Sequence, residues 1–181
     1  MQPVNLRDRD LCFLDIETTG HVIGYHEIIE LGALRTSPDA HKVLGEFTAR
    51  VMPVYPERAT PSAMDLNGFS VERWTEASPL REGLERLGEY TRSAVPICHN
   101  PSFDRAFIQL AGSATGVEIL LDYHWIGTES LAWLRYKRGE LVGLRLSDLC
   151  ANLGVEEEPR PHRALEGART CWRVYKALMA G

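Results

Sequence analysis

The sequence predicts a sheet-based fold, α/β or α+β, with its first strand at the centre of the sheet. Three observations carry this reading. Residues 11–17 form a short apolar run of the kind that suits a strand buried on both faces. Two further strand-like runs, 28–34 and 47–52, follow as natural hairpin partners of the first. Beyond them, strand and helix patterns mix, and helical spacing of apolar residues dominates to the end of the chain.

Thr18-Thr19-Gly20 reads as the turn that closes the first strand. Residues 53–79 are rich in Pro, Ser and Thr, which predicts loop with short helical pieces, one of them capped by Ser70 and running to Trp74. Leu80, Leu84, Leu87 and either Tyr90 or Thr91 recur at helical spacing. Residues 94–98 read as another buried strand. Asn100-Pro101 then opens a helix, with Asn as N-cap and Pro at the first helical position, and Phe103, Phe107 and Leu110 are expected on one face. Residues 131–136 fall in a helical stretch, and 147–153 form a short helix closed by Gly154. The last helix is expected over 163–179 with the apolar stripe Leu165, Ala168, Trp172, Tyr175 and Met179. With no repeats or linker-like tracts, the 181 residues read as one domain, 1–181.

Composition narrows the function classes. The chain is 44% hydrophobic and 25% charged, an ordinary globular balance large enough to bury a core without staples. Twenty Lys and Arg against 25 Asp and Glu give a net charge of −5, so nucleic-acid contact has to be local or act through bound cations. Cys12, Cys98, Cys150 and Cys171 form no C-x-x-C pair, which argues for free thiols in a reducing cytoplasm. The charged first ten residues are unlike a signal peptide, and no run reaches transmembrane length.

Strand alternation puts Asp15 and Glu17 on one face and Leu14 and Ile16 on the other. Two carboxylates on a buried strand repel and lose hydration, a cost that a cation can offset; the alternative is a strand end where both reach solvent. Asp104 lies in the first turns of its helix, where the dipole favours a negative charge for stability alone or as part of a site. His162 stands before the last helix, either as a solvent-facing entry residue or as a general base titrating near neutrality. Glu166 follows one helical turn later. Taken together, carboxylates as hard oxygen ligands select Mg²⁺ or Mn²⁺, and two such ions can align a phosphodiester for hydrolysis. A small basic cluster, Arg135, Lys137 and Arg138 around Tyr136, is either a backbone contact or a solvated helix end.

These residues sit in recognisable motifs. Asp15-Ile16-Glu17-Thr18-Thr19-Gly20 resembles the first motif of the DEDD superfamily of 3′–5′ exonucleases, in the form of polymerase proofreading subunits. Residues 27–33 resemble that family's second strand, and His99-Asn100-Pro101-Ser102-Phe103-Asp104 its second motif. His162-Arg163-Ala164-Leu165 is similar to the start of the third motif in the histidine-containing (DEDDh) branch. Asn67-Gly68-Phe69-Ser70 is similar to the family's H-G-I-T loop, and 144–154 to its lead-in to the third motif.

The resemblance implies a ribonuclease-H-like α/β fold with a central mixed five-stranded sheet flanked by helices. It implies a metal-dependent 3′–5′ exonuclease that uses two ions, Mg²⁺ or Mn²⁺, and releases nucleoside 5′-monophosphates from a single-stranded DNA or RNA 3′ end. Asp15 would bridge both metals, Glu17 and Asp104 would complete the site directly or through water, and His162 would be the general base. Thr18, Thr19, Asn67 and Phe103 would meet the terminal nucleotide. Proofreading would require a polymerase or another protein partner, a free-standing nuclease is the preferred expectation, no membrane is expected, and the expected compartment is cytoplasmic.

Three positions depart from the family pattern. Gly167 stands where the third motif has Asp, five residues after the histidine, and Glu166 lies one residue before it. One helical position is a rotation of about 100°, so Glu166 either reaches the metal through its extra methylene or faces solvent. Gly127 precedes Thr128 where relatives commonly have Asp, and Asn67 replaces a usual histidine. The competing reading is a degenerate fold, weakly active or inactive, that binds nucleic-acid ends or a protein.

Overall fold

The computed structural model describes residues 5–119 and 121–180. Its centre is a five-stranded sheet in the order β3-β2-β1-β4-β5. Strands β1 (Leu11–Thr18), β2 (Ile28–Thr36) and β3 (Val43–Arg50) form an antiparallel meander, while β4 (Val95–Cys98) and β5 (Ile126–Gly127) add in parallel on the other side of β1. The first strand is central, as the sequence predicts, and the mixed sheet agrees with the expected architecture.

Alternation along β1 assigns its two faces. Cys12, Leu14 and Ile16 pack with Leu84 and Leu87 of α2 (Leu80–Tyr90) and Phe107 and Ile108 of α3 (Pro101–Thr115). Leu11 and Phe13 face the opposite way, against Ala168, Cys171 and Tyr175 of α6 (Ala164–Met179). Asp15 and Glu17 continue this second face, so one side of a single strand begins apolar and ends acidic. Among the described residues no helix is long and apolar enough to cross a membrane, and all four cysteines are buried free thiols.

Several boundaries and faces differ from expectation. Strand β3 starts at Val43, well before the expected residue 47, because it is an edge strand with an exposed beginning and its burial alternates only toward its end. The 53–79 segment contains two short 3₁₀ turns and α1 (Pro61–Asn67), and Ser70 caps the second turn as predicted. In α3, Leu110 is exposed and Ile108 takes its place in the core. The helical stretches around 131–136 and 147–153 are α4 (Thr128–Lys137) and α5 (Leu146–Leu153), the latter ended by Gly154 at φ 65°.

The buried face of α6 is turned from the predicted stripe. Ala164, Gly167, Ala168, Cys171 and Val174 face inward, Trp172 and Tyr175 flank them, and Met179 is 63% exposed. Small residues against the sheet let the helix axis approach closely, and the large amphipathic side chains cover the margins. The approach is closest at Gly32 of β2, where an added Cβ would overlap the backbone carbonyl of Ala164. Gly32 is the register partner of Asp15, so the start of α6 is seated beside that carboxylate.

Candidate active site

Asp15 and Glu17 emerge at the end of β1, just where its pairing with β2 shifts register between Glu17 and Thr18. Asp104 comes from the first turns of α3. Asn100 caps that helix by accepting from the Ser102 amide, and Pro101 fixes its first residue. Gly127, noted above as a departure, sits against this turn, since an added Cβ would meet the Pro101 ring at 2.7 Å. The cleft above these acids, about 350 Å³, is walled by Leu66 and Asn67 of α1, Phe103 of α3, and Glu158 and His162 of the loop before α6.

Burial and mutual repulsion set the electrostatics. Asp15 keeps part of its surface on the cleft, but its carboxyl lies deep, and burial followed by Asp104, Glu17 and Glu158 pushes it well above the ordinary carboxylate range. Burial, with Glu158 and Glu30, raises Glu17 to about 8. Asp104 is raised to about 7 by burial, against the opposing pull of its own amide, the Cys98 thiol and the Ile16 amide. Among the described residues no three of these acids close around a common point at ligand distance. Like charges in a low-dielectric wall stand apart. The donor set is nevertheless all oxygen and acidic, which fits a hard divalent cation and not a soft one.

His162 is held from two sides. Its amide donates to the Leu66 carbonyl at 2.9 Å, and its Nδ1 lies 2.8 Å from Glu158 Oε1. Burial lowers the imidazole pKa, with Arg160 adding to the effect, while burial raises Glu158 to about 7. Both shifts disfavour charge separation across this contact. Donation from Nδ1–H leaves Nε2 as a proton acceptor. Arg163 bonds the Asn67 carbonyl, donates to the His162 carbonyl at 3.1 Å, and stands 4.0 Å from Glu30, so one cation ties the third-motif loop to α1.

The remaining expected contacts divide into lining and bracing. Thr18 and Phe103 line the cleft; Thr18 Oγ1 donates to the Gly20 carbonyl at 2.7 Å, and Phe103 rests 4.9 Å from the Phe107 ring. Asn67 is buried; its amide donates to the Thr18 carbonyl at 3.0 Å and accepts from the Phe69 amide, clamping α1 to the end of β1. Thr19 is buried beneath the turn, where its hydroxyl accepts from the Glu27 amide. The basic cluster on α4 lies outside the cleft lining, and Arg135 is engaged with Glu140 at 3.1 Å.

Glu166 is a correction to the expectation. Its carboxylate bonds Arg169, which also holds Glu46, and it lines a separate groove with Glu30, Arg50 and Arg163. The 100° step between neighbouring helical positions points it away from Asp15, and its extra methylene does not undo the rotation.

Comparison with known proteins places the fold and the family. Residues 12–175 match the RNase_T family model, described as exonuclease. The chain belongs to this exonuclease family. Curated relatives of the exonuclease include proteins named DNA polymerase III PolC-type, from Listeria monocytogenes at 31% identity and Listeria welshimeri at 27%, each over 98% of this chain. The chain spans 12% of the length of these relatives. Among solved structures, Exonuclease I superposes with a TM-score of 0.82 at 15% identity, covering 95% of this chain and 41% of that one. The nuclease domain of 3′hExo, described as a DEDDh family member bound to rAMP, superposes at 0.76 with 16% identity, covering 94% and 92%.

One residue lining the cleft carries no direct signal in the sequence. Glu158 closes the run Glu156-Glu157-Glu158, and such a run reads as a solvated face. Glu156 and Glu157 are exposed accordingly, but the side chain of Glu158 is only 11% exposed and turns into the cleft. The indirect signal is that the family pattern has an acid at the position of Gly167 and that Glu158 is an acid close by in the chain.

Proposed function

We propose that this exonuclease domain is a metal-dependent 3′–5′ exonuclease that cleaves single-stranded DNA, and RNA by the same chemistry, to nucleoside 5′-monophosphates. The observation that carries the proposal is the meeting of Asp15 and Glu17 with His162 around one open cleft, with the buried Asp104 close enough to act on Asp15. Asp15, Glu17 and Asp104 would hold two divalent ions, Mg²⁺ or Mn²⁺. Bound there, the ions supply Lewis-acid activation of water and neutralise the phosphate charge that this acidic chain would otherwise repel.

The protein's own groups perform the rest. His162 Nε2 accepts a proton from the attacking water, and the Glu158 carboxylate holds Nδ1–H so that the imidazole cannot turn away. The water oxygen forms the new bond to phosphorus as the bond to the penultimate nucleotide's 3′ oxygen breaks, and that oxygen takes its proton from solvent. Phe103 and Leu66 offer an apolar wall to the terminal base, while Thr18 and Asn67 fix the end of β1 beneath the sugar. DNA is placed first because the curated relatives are named as DNA polymerases; a crystal structure of Escherichia coli Exonuclease I in complex with a dA16 oligonucleotide also superposes at a TM-score of 0.81 with 16% identity. A polymerase is, on the same ground, the proposed partner.

A 5′-labelled single-stranded oligonucleotide incubated with Mg²⁺, Mn²⁺ or chelator tests the proposal. The expected result is a ladder shortening from the 3′ end only when metal is present. A wild-type protein that binds the oligonucleotide but leaves it intact under all three conditions would establish the degenerate, binding-only fold instead.

A further inference from the structure

We infer that Glu158 supplies the carboxylate that the third motif lacks at Gly167, so that the acid completing the site reaches it from the loop preceding α6. The inference rests on the metal-dependent reading above and names one more ligand for that same site.

The first observation is the space over Gly167. A Cβ added there would overlap the Asp15 carboxylate and stand 3.2 Å from Glu158 Oε2. The position at which an aspartate on α6 would begin is therefore shared by the tips of Asp15 and Glu158. A side chain on the helix would displace the Asp15 carboxylate and press on the tip of Glu158, so the present seats of both acids depend on the bare position. The glycine and the inward glutamate thus describe one exchange, in which the helix loses its acid and the loop provides another.

The second observation is the bonding of Glu158. Its Oε1 holds His162 Nδ1, while Oε2 is buried with no hydrogen-bond partner among the described residues. A buried carboxylate oxygen left unpaired is costly, and such atoms are uncommon unless a ligand, ion or proton serves them. The orphaned atom is the one facing Asp15 across Gly167. Glu30 Oε2 is also buried and unpaired, but that residue lines the groove beside Arg50 and Arg163, where two cations already balance it. Among the described residues no Arg or Lys forms an ion pair with Glu158, and the charges acting on it include the carboxylates of Glu157 and Glu166.

The third observation removes the alternative. Glu166, the neighbouring acid on α6, is committed to Arg169. With Glu166 turned away and Gly167 bare, Glu158 is the acid from the third-motif region that lines the cleft. Its two oxygens then divide the work, Oε1 orienting the histidine and Oε2 facing the ion. Placing both tasks on one side chain couples the position of the general base to that of the metal.

Calorimetric titration with MnCl₂ tests this, alongside cleavage of the labelled oligonucleotide. The proteins are wild type, Asp15→Asn, His162→Ala, Glu157→Gln, Glu158→Gln, Glu158→Ala and the double variant Glu158→Ala/Gly167→Asp. Circular dichroism and metal-free melting confirm that each is folded. Glu158→Gln is expected to weaken Mn²⁺ binding by about ten- to a hundred-fold, the range for losing a group that tunes a metal site, while its exposed neighbour Glu157→Gln binds as wild type does. The double variant is expected to recover at least about ten-fold of the affinity that Glu158→Ala loses, because the added aspartate restores a carboxylate beside Asp15, whose own carboxylate turns aside to admit it. If Glu158→Gln binds Mn²⁺ as wild type does while Asp15→Asn does not, the role assigned to Glu158 is overturned and the metal-dependent reading stands. If Glu158→Gln instead copies His162→Ala, cleaving slowly with full Mn²⁺ affinity, Glu158 only positions the histidine and the inference is again overturned. A wild type that neither binds Mn²⁺ nor cleaves removes the metal-dependent reading, and this inference with it.

Discussion

Leu11 and Phe13 lie on the same face of the same strand as Asp15 and Glu17, under the same helix, within a few residues of one another. The first pair meets Ala168, Cys171 and Tyr175 and is satisfied by packing alone; Phe13 sets its ring edge-on to Tyr175 at 5.4 Å. The second pair meets Gly167, Glu158 and open cleft, and its groups repel one another. The apolar half of the face adds stability, whereas the acidic half spends it on a constellation of charge that is useful only with a partner. Function occupies the end of an element whose beginning is rigid enough to carry the strain.

Replacing Asp15 by Asn separates the two halves most sharply. Metal-dependent cleavage should fall by on the order of 10³-fold, because the acid central to the cluster loses its charge. The metal-free protein should at the same time melt a few degrees higher at pH 8, since about 1 kcal/mol shifts Tm by roughly 2–4 °C at this size. A melting scan with chelator, paired with the oligonucleotide assay, reads both; a variant that is both inactive and less stable would contradict the contrast. His162→Ala should slow cleavage by about 10²-fold, the ordinary contribution of a positioned base, without weakening Mn²⁺ binding. An affinity loss equal to the rate loss would place the histidine among the ligands.

Phe13→Ala probes the other half. It should cost about 3–5 kcal/mol and lower Tm by roughly 10 °C, yet leave Mn²⁺ affinity near wild type wherever the protein is folded. The smallest effect is the pH dependence of the acidic half. Glu17 at about 8, with Asp104 and Glu158 at about 7, lie above the range these carboxyls have in the unfolded chain. Groups raised on folding bind more protons in the native state, so their contribution is present in full at low pH and is lost as pH rises toward 8. Metal-free Tm should therefore decline by a few degrees between pH 5 and 8, and Glu17→Gln should flatten that slope. A flat wild-type profile would show that the acids are not mutually destabilising.

Legibility in the sequence followed the range of the interactions. Asp15 and Glu17 were readable because strand alternation is local, and the start of α3 because Asn100 and Pro101 act within one turn. The edges of β3 were not, since an edge strand carries little burial pattern and its start is fixed by pairing with β2. The inward face of α6 is not legible from bulk, because close approach to the sheet selects Ala164, Gly167 and Ala168. Glu158 was invisible for a related reason. Its neighbours in the chain are solvated, and only the tertiary structure turns its side chain into the cleft.

The seat of α6 on Gly32 bears on how this chain can drift over generations. Gly32 carries no charge, touches no substrate and lies on a strand that contributes none of the acids proposed for the site, so an inspection of polar residues would pass it by. A single methyl group there would nevertheless press on Ala164 and lever the histidine, its glutamate and Gly167 away from Asp15 together. Two vacancies of side chain, one on each side of a helix–strand contact, thus set the span across which every acid and the base must meet. The permanence of this geometry resides in atoms that were never there.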